Sequence, residues 1–429
     1  MGQSMLSITP ISISHALSYY HKDSLSDKEM RGQWFGKAAE VLQLRGDIER
    51  RDWAAVIHGR HPGSNRQLVQ LGPSYGHRAA TDMTFSAPKS VSIAALVVGR
   101  EDIAEADREA VIATLHHIEE HGVLARTTRG GITKRVLTEN VLIAIYEHIA
   151  SRGLDPQRHT HCPVLNMTQM QDTWKALSNE PLFENKMYYG QYYRNELAAN
   201  IKELGYEIRS GKNGLFEVSG IPEEALREFS RRTAQVEASY NTLKHRYPRA
   251  SESKLRELAA LNSRAAKNEL DIQDMHRTWE QRLKIIGLTK EGLAQQLDSG
   301  RRQNTCVLSI NPKDAVGIAV GQLAANEKSF TREEILRIGG QFSLGTGRLS
   351  DLEAAVKDLR ISGEIVKLDN GEFITKAIMQ SLGKLDRQQG DTVPKWHTDR
   401  ERSFSADEHK DAAVEHHTIG TESGIERER

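Results

Sequence analysis

Three histidines carry the chemistry that this chain could do. His148 ends one apolar, β-branched run, and His159 and His161 open a second, within VLIAIYEHIASRGLDPQRHTHCPVLNMT at 141–168. Side chains alternate faces along a strand, so His159 and His161 point the same way. Ser151-Arg152-Gly153 and Asp155-Pro156 make a polar link, so the two runs read as neighbouring strands of one antiparallel sheet. Pairing would bring His148 beside the other two. Three imidazoles converging on one face make a divalent metal site with open positions, as a catalytic metal requires. The bland alternative is a solvated strand end with His148 packed alone, and short His motifs admit it. Cys162 follows His161 on the opposite strand face and reads as packing.

Other side chains join the list by position. Tyr19 and Tyr20 stand near the end of a helix expected after MLSIT and Pro10, with Ile13, Ala16, Leu17 and Tyr20 on one side. Adjacent residues on a helix point about 100° apart, so one of the two rings is presented outward. TDMTFSAPKSVS at 81–92 begins as a strand carrying Asp82 and turns into a helix at Ala87-Pro88-Lys89-Ser90. Pro suits a first helical turn, and the helix start beside Lys89 would be an anion site. Asp82 reads equally as a turn residue or an exposed charge. His117 and His121 meet at helical spacing, but no third ligand is near and the pair reads as surface. Tyr188, Tyr189, Tyr192 and Tyr193 repeat at i, i+4 and read as a packing stripe. Residues 222–288 are helix-rich and basic, with Arg231, Arg232, Lys244, Arg264 and Lys267. Such helices are usually just solvated; as a groove they would track a phosphate backbone.

The elements that position these residues follow from pattern. The 429-residue chain has room for two or three domains. Its formal net charge is zero, so any nucleic-acid surface must be local. Two cysteines exclude a disulfide framework and a CxxC metal site, and fit a reducing compartment. No apolar run reaches membrane-spanning length and the N-terminus lacks a signal-peptide pattern, so a cytoplasmic protein with no membrane insertion is expected. The fold class is α+β. Residues 289–310 read as a linker. Residues 311–378 read as three helices and a terminal hairpin across Asp369-Asn370-Gly371, with a capping box from Thr331 to Glu334: a winged-helix-like module. Gly340–Arg348 (GQFSLGTGR) is Gly-rich but lacks the ending of a phosphate loop. Residues 379–429 are polar, without apolar periodicity, and read as a disordered tail.

Tyr19-Tyr20, TDMTFSAPKSVS, His148 and DPQRHTHCPVLNMT at 155–168, in that order, resemble the conjugative relaxases of the TrwC/TraI (MobF) type, in the HUH endonuclease superfamily. FSRRTAQVEA at 229–238 and SRAAKNELD at 263–271 resemble later family segments. The resemblance spans about residues 5–288. It implies an antiparallel sheet with an RRM-like palm at 5–220, packed helices, and helical fingers at 221–288 closing over single-stranded DNA. It implies strand-specific nicking and rejoining at a plasmid transfer origin through a 5′-phosphotyrosyl intermediate. Tyr19 matches the nucleophile, with Tyr20 beside it. Tyrosine's pKa is about 10, so the hydroxyl needs help at neutral pH. His148, His159 and His161 match the ligands of a divalent ion. Mg²⁺ or Mn²⁺ is expected, although three nitrogen donors also suit Zn²⁺ or another transition metal. Asp82 matches the family acid, to orient a metal-bound His or take the tyrosine proton. Arg78, Lys89, Arg231, Arg232, Arg264 and Lys267 are the expected DNA contacts. The implied partners are single-stranded and hairpin DNA at the origin, accessory relaxosome proteins, a coupling protein and a separate helicase, in the cytoplasm of a bacterium carrying a plasmid or other mobile element.

Two features depart from the family pattern. Many relatives carry further tyrosines after the first pair; residues 21–34 contain none. Relatives also continue into a helicase, whereas here 311–378 resembles only the start of that region and no Walker A motif follows. Unwinding is therefore expected from another protein, or the gene is truncated. A rolling-circle initiator or transposase of the same superfamily would share the chemistry, but TFSAPKSVS and the long helical 222–288 region favour the relaxase. A non-catalytic DNA-binding regulator leaves Tyr19, Asp82 and three histidines without purpose. A generic metal hydrolase leaves the tyrosine pair without one.

Overall fold

Alternation of side chains builds the central sheet. In strand β1 (Leu6–Ser12), Leu6 and Ile8 are buried while Ser7 and Thr9 are exposed. After the short strand β2 (Gln33–Phe35), β3 (Arg78–Ser86) is covered on both faces, with Ala79 through Met83 all buried. A hairpin of β4 (Leu124–Arg129) and β5 (Ile132–Leu137) turns at Gly130-Gly131, both at positive φ, which glycine adopts at little cost. Then come β6 (Ile143–Ala150) and β7 (Pro156–Leu165). The sheet order is β1-β3-β7-β6-β2, and every pairing is antiparallel. The computed structural model describes residues 5–22, 32–69, 78–262, 271–301 and 310–381, with residues 18–22, 253, 257 and 261 as backbone only.

The two faces of the sheet are covered differently. Leu6, Ile8, Met83, Phe85, Ile143, Cys162 and Val164 point into the main core, beneath the helices Glu101–His121 and Lys186–Glu203. On the other face Ile11, Ala80, Ala144, Tyr146 and Leu165 form a smaller core with Ala16, Trp53, Val56 and Ile57. Ala16 belongs to helix α1 (Ile13–Lys22), which carries Tyr19 and Tyr20. The Trp53 indole N–H donates to the Ala16 carbonyl at 3.2 Å, and its ring meets Tyr146 edge-on at 6.1 Å. The helix Arg50–Ile57 therefore holds α1 against one half of the sheet. The remaining half of that face bears the three histidines.

Among the described residues, the region expected as fingers contains the helices Glu223–Glu228, Arg231–Arg246, Glu252–Asn262 and Ile272–Ile285. The middle two pack on each other around Tyr240, Leu255 and Ala259, a small cluster apart from the main core. The last buries Met275, Trp279 and Leu283 in the main core. The helices Pro312–Asn326, Arg332–Phe342 and Leu349–Ile361 and a hairpin of Ile365–Lys367 with Phe373–Thr375 follow, in the order read from sequence. The Thr331–Glu334 capping box is formed. This unit docks on the helix Lys186–Glu203. The Asn195 amide donates to the Gly340 carbonyl at 3.1 Å, and Arg348 pairs with Glu196 at 2.6 Å and Glu203 at 2.7 Å. A Cβ at Gly340 would meet Asn195 Oδ1 at 2.8 Å, so any larger residue would push that buried side chain aside. The glycines of 340–348 thus serve packing.

Three expectations are corrected. The stretch 289–310 is not simply a linker: Lys290–Gly300 is a helix, its Thr289 hydroxyl accepts from the Gly292 N–H, and Leu293 and Leu297 are buried. Two apolar residues one turn apart suffice to dock a short helix, and Arg100 secures it through Asp298 at 2.5 Å. His117 is buried rather than on the surface, because the helix Lys186–Glu203 covers it; Tyr188 Oη lies 2.8 Å from its Nε2, and Tyr192 and His121 stack on its ring. Lys89 is the third and belongs to the site below. Arg264, Lys267, Cys306 and the tail from 382 onward lie outside the described residues. Among the described residues no helix is long and apolar enough to cross a membrane.

Candidate metal centre

Strand register assembles the histidines. His148 on β6 stands opposite His159 on β7. His161, two residues on, shares their face and stands opposite Thr84 of β3. The three ring centroids lie 5.0–5.3 Å apart, and one nitrogen from each ring falls within 4.8 Å of the others. Among the described residues this is the one group of three or more His, Cys, Asp or Glu gathered as metal ligands.

The Nδ1 atoms of His159 and His161 have defined partners. His159 Nδ1 lies 3.0 Å from the Gln157 carbonyl. His161 Nδ1 lies 2.7 Å from Asp82 Oδ2, and the Thr84 hydroxyl bridges the pair at 3.0 and 3.1 Å. Such partners fix the tautomer with Nδ1 protonated and leave Nε2 to bind a metal. Burial, and then the neighbouring His161, push the His159 pKa down to about 4, so its ring is neutral at physiological pH, as a ligand must be. The donor set therefore fits a divalent ion. Asp82 is 5% exposed, and among the described residues its Oδ1 has no hydrogen-bond partner. Thr84 escaped the sequence reading, although strand alternation two residues from Asp82 would have found it.

A bulge lies beside the ligand pair. The register slips by one residue between His148↔His159 and Ala150↔Pro156. A bulge bends its strand and re-aims the adjoining side chains. Beneath the sheet, even-numbered β7 residues face the main core. Arg158 there binds Asp107 at 2.9 Å and Glu147 at 3.3 Å, and Tyr193 donates to Asp107 at 2.5 Å. Burial alone would raise the Glu147 carboxyl pKa; Arg108 and Arg158 outweigh it and hold it below its usual range. Cys162 lies on this inner face, buried as expected.

The remaining candidates are distributed around the centre. Tyr19 and Tyr20 lie on α1, which packs on the site's face of the sheet through Ala16; their side chains lie outside the described residues. Arg78 begins β3, with its guanidinium 5.5 Å over the Phe183 ring. Arg231 is exposed and pairs with Glu228 at 2.7 Å, and Arg232 donates to the Ala260 carbonyl. Lys89 differs from expectation. Its ammonium turns inward to the Pro156 carbonyl at 2.8 Å, and burial lowers its pKa to about 8. The Ser90 N–H at that helix start is taken by Glu217 Oε2 at 2.8 Å, so the anion there is the protein's own carboxylate.

Comparison with known proteins converges on one family. The family model described as TrwC relaxase matches residues 9–286. Multifunctional conjugation protein TraI of Escherichia coli K12 is 30% identical over 390 residues, which cover 86% of this chain and 21% of TraI. The chain thus spans about a fifth of the length of the curated relatives it matches. Among solved structures, the conjugative relaxase TrwC in complex with oriT DNA in metal-bound form aligns with a TM-score of 0.61 at 33% identity, covering 66% of this chain and 99% of that one. TrwC with a 27-mer DNA comprising the recognition hairpin and the cleavage site aligns with a TM-score of 0.59 at 32% identity over the same shares. With two-thirds of its length under that family model and its histidines on facing strands of an antiparallel sheet, the chain belongs to the TrwC relaxase family.

Proposed function

We propose that this chain nicks and rejoins one DNA strand at a plasmid transfer origin by tyrosine transesterification. The observation that carries this reading is the imidazole triad on β6 and β7, with His161 oriented by buried Asp82. The Tyr19 hydroxyl attacks the scissile phosphorus. Its O–P bond forms as the P–O3′ bond breaks, the tyrosine proton is lost, and the 3′ oxygen takes one up. One phosphodiester replaces another, so the free 3′-OH can reverse the exchange without ATP. Tyr20 is the candidate for a second cleavage.

His148, His159 and His161 would hold the divalent ion, which when bound neutralises charge on the nonbridging phosphate oxygens. Mg²⁺ or Mn²⁺ is the proposed ion; three imidazoles favour Mn²⁺ or Zn²⁺ over Mg²⁺ by ligand hardness. Asp82 acts as a positioning residue, because its Oδ2 is already committed to His161 and Thr84. Exposed Arg231, with Arg78, Arg232, Arg264 and Lys267, would contact DNA backbone, which positions the strand without reading its sequence. Residues 1–288 would form the relaxase unit and 311–378 an appended winged-helix-like module. Hairpin DNA at the origin, accessory relaxosome proteins, a coupling protein and a separate helicase are the proposed partners, in the cytoplasm.

The test uses single-stranded oligonucleotides from the DNA flanking the gene, labelled at either end and incubated with protein and Mn²⁺. An SDS-resistant adduct carrying the 3′-labelled half, absent in Tyr19→Phe, is the expected result. An adduct lost in Tyr20→Phe instead would move the nucleophile by one residue. Salt-sensitive binding with no adduct on any sequence would sink the catalytic reading.

A further inference from the structure

The turn joining the two ligand strands is clamped by a helix of the fingers region. Residues 151–155 connect β6 to β7, between His148 and His159. Leu154 holds φ at +58°, a conformation that non-glycine residues adopt at a cost. Local hydrogen bonds close the turn: Ser151 N–H to the Asp155 carbonyl at 2.9 Å, and Asp155 N–H to Ser151 Oγ at 3.2 Å. The strained position is then fixed from outside. The Trp279 indole N–H, on the helix Ile272–Ile285, donates to the Leu154 carbonyl at 2.8 Å. One turn along that helix, Arg282 Nη2 donates to Asp155 Oδ1 at 2.9 Å.

Asp155 is 1% exposed and Arg282 6%. Their ion pair is shared with the fingers: Arg282 also binds Glu228 Oε1 at 2.8 Å and the Glu228 carbonyl at 2.6 Å, and Asp155 Oδ2 accepts from the Arg231 backbone N–H at 3.0 Å. The start of the basic helix Arg231–Arg246 is therefore pinned to the same carboxylate. The bulge lies between this clamped turn and the His148–His159 pair. A displacement of the turn has to be absorbed there, and that changes the aim of His148. Packed, fully hydrogen-bonded elements transmit displacement rather than damp it.

We propose that Asp155, Arg282 and Trp279 are positioning residues that couple DNA held by the fingers to the geometry of the metal centre. The inference rests on the reading of that centre given above. Coupling between two sites is reciprocal: DNA that favours the clamped arrangement tightens metal binding, and metal tightens DNA binding by the same factor.

The test separates this route from direct contact between metal and phosphate. The full chain, carrying Tyr19→Phe to prevent cleavage, is titrated with Mn²⁺ alone, followed by its electron paramagnetic resonance. The titration is repeated with an oligonucleotide that ends at the 3′-OH of the nick, so that no scissile phosphate reaches the ion. The parent should bind Mn²⁺ about 5-fold or more tightly with the oligonucleotide present. Trp279→Phe, which keeps the packing and removes one N–H, should reduce that ratio. Arg282→Gln should bring it below about 2-fold, with Arg282→Lys intermediate. A parent ratio near one, or a parent-like ratio in folded Arg282→Gln and Trp279→Phe, overturns the coupling while leaving the metal centre standing. No Mn²⁺ binding by the parent overturns the metal centre itself, and the coupling with it.

Discussion

The two faces of β7 differ in how completely their polar groups are satisfied. Toward the helices, Arg158 is paired with Asp107 and Glu147, Tyr193 caps Asp107, and Cys162 fills the core beside them. Toward the histidines, His159 and His161 are anchored at Nδ1, while Asp82 Oδ1 is buried without a hydrogen-bond partner among the described residues. The difference shows a division of labour within one strand. A ligand is useful only if one of its atoms is left uncommitted, and that atom can be aimed only by a backbone that does not move. The inner face supplies the rigidity, and the outer face holds the three imidazoles.

Substitutions on the two faces should therefore fail differently. On the histidine face, His159→Ala or His161→Ala should lower the rate of covalent adduct formation by about 10³-fold, while the urea midpoint stays close to wild type. A matching loss of stability would show that the histidines are structural. On the helix face, Arg158→Ala leaves Asp107 buried without its cation and should destabilise the fold by about 3–5 kcal/mol in urea denaturation. If Arg158→Ala costs under about 1 kcal/mol, the network contributes little rigidity and the comparison loses its basis. Also on the histidine face, Asp82→Asn keeps the shape but loses the charge beside His161. Metal affinity should fall about 10–100-fold by titration calorimetry, with little change in thermal stability.

The smallest effect is on pH dependence, at a histidine that belongs to neither role. His117 is buried, and burial lowers its pKa to about 3 from 6.5. Above pH 6.5 it is neutral whether folded or unfolded. As pH falls below that value the unfolded chain takes up a proton that the folded chain refuses, so stability is lost between pH 6.5 and about 3. At pH 5 the loss through this residue is about 2 kcal/mol. The urea midpoint of wild type should drop from pH 7.5 to pH 5, and His117→Gln should drop less. Equal slopes would assign the pH dependence elsewhere.

What was legible in the sequence was local and periodic. Strand alternation put His159 and His161 on one face and Cys162 on the other, and the Thr331 capping box and the Asp369-Asn370-Gly371 turn located the last helices and hairpin. What escaped depends on partners distant along the chain. Lys89 and the helix start after Pro88 offer an anion site only until Glu217, 127 residues on, fills it. His117 reads as exposed until the helix that covers it is placed. Leu293 and Leu297 are too few to announce a helix by periodicity, yet the main core accepts them. The clamp on Asp155 could not be read at all, because neither Trp279 nor Arg282 carries a motif and the strained residue, Leu154, is an ordinary leucine in sequence.

The docking of the last three helices has a mechanical consequence. Gly340 lies flush against Asn195, and Arg348 grips Glu196 and Glu203, all on the helix that forms the floor of the main core. A pull on the chain beyond residue 378 would load these contacts on the Lys186–Glu203 helix. This unit would peel away before the palm is stretched, and a tethered strand would keep its attachment while the far end of the protein yields.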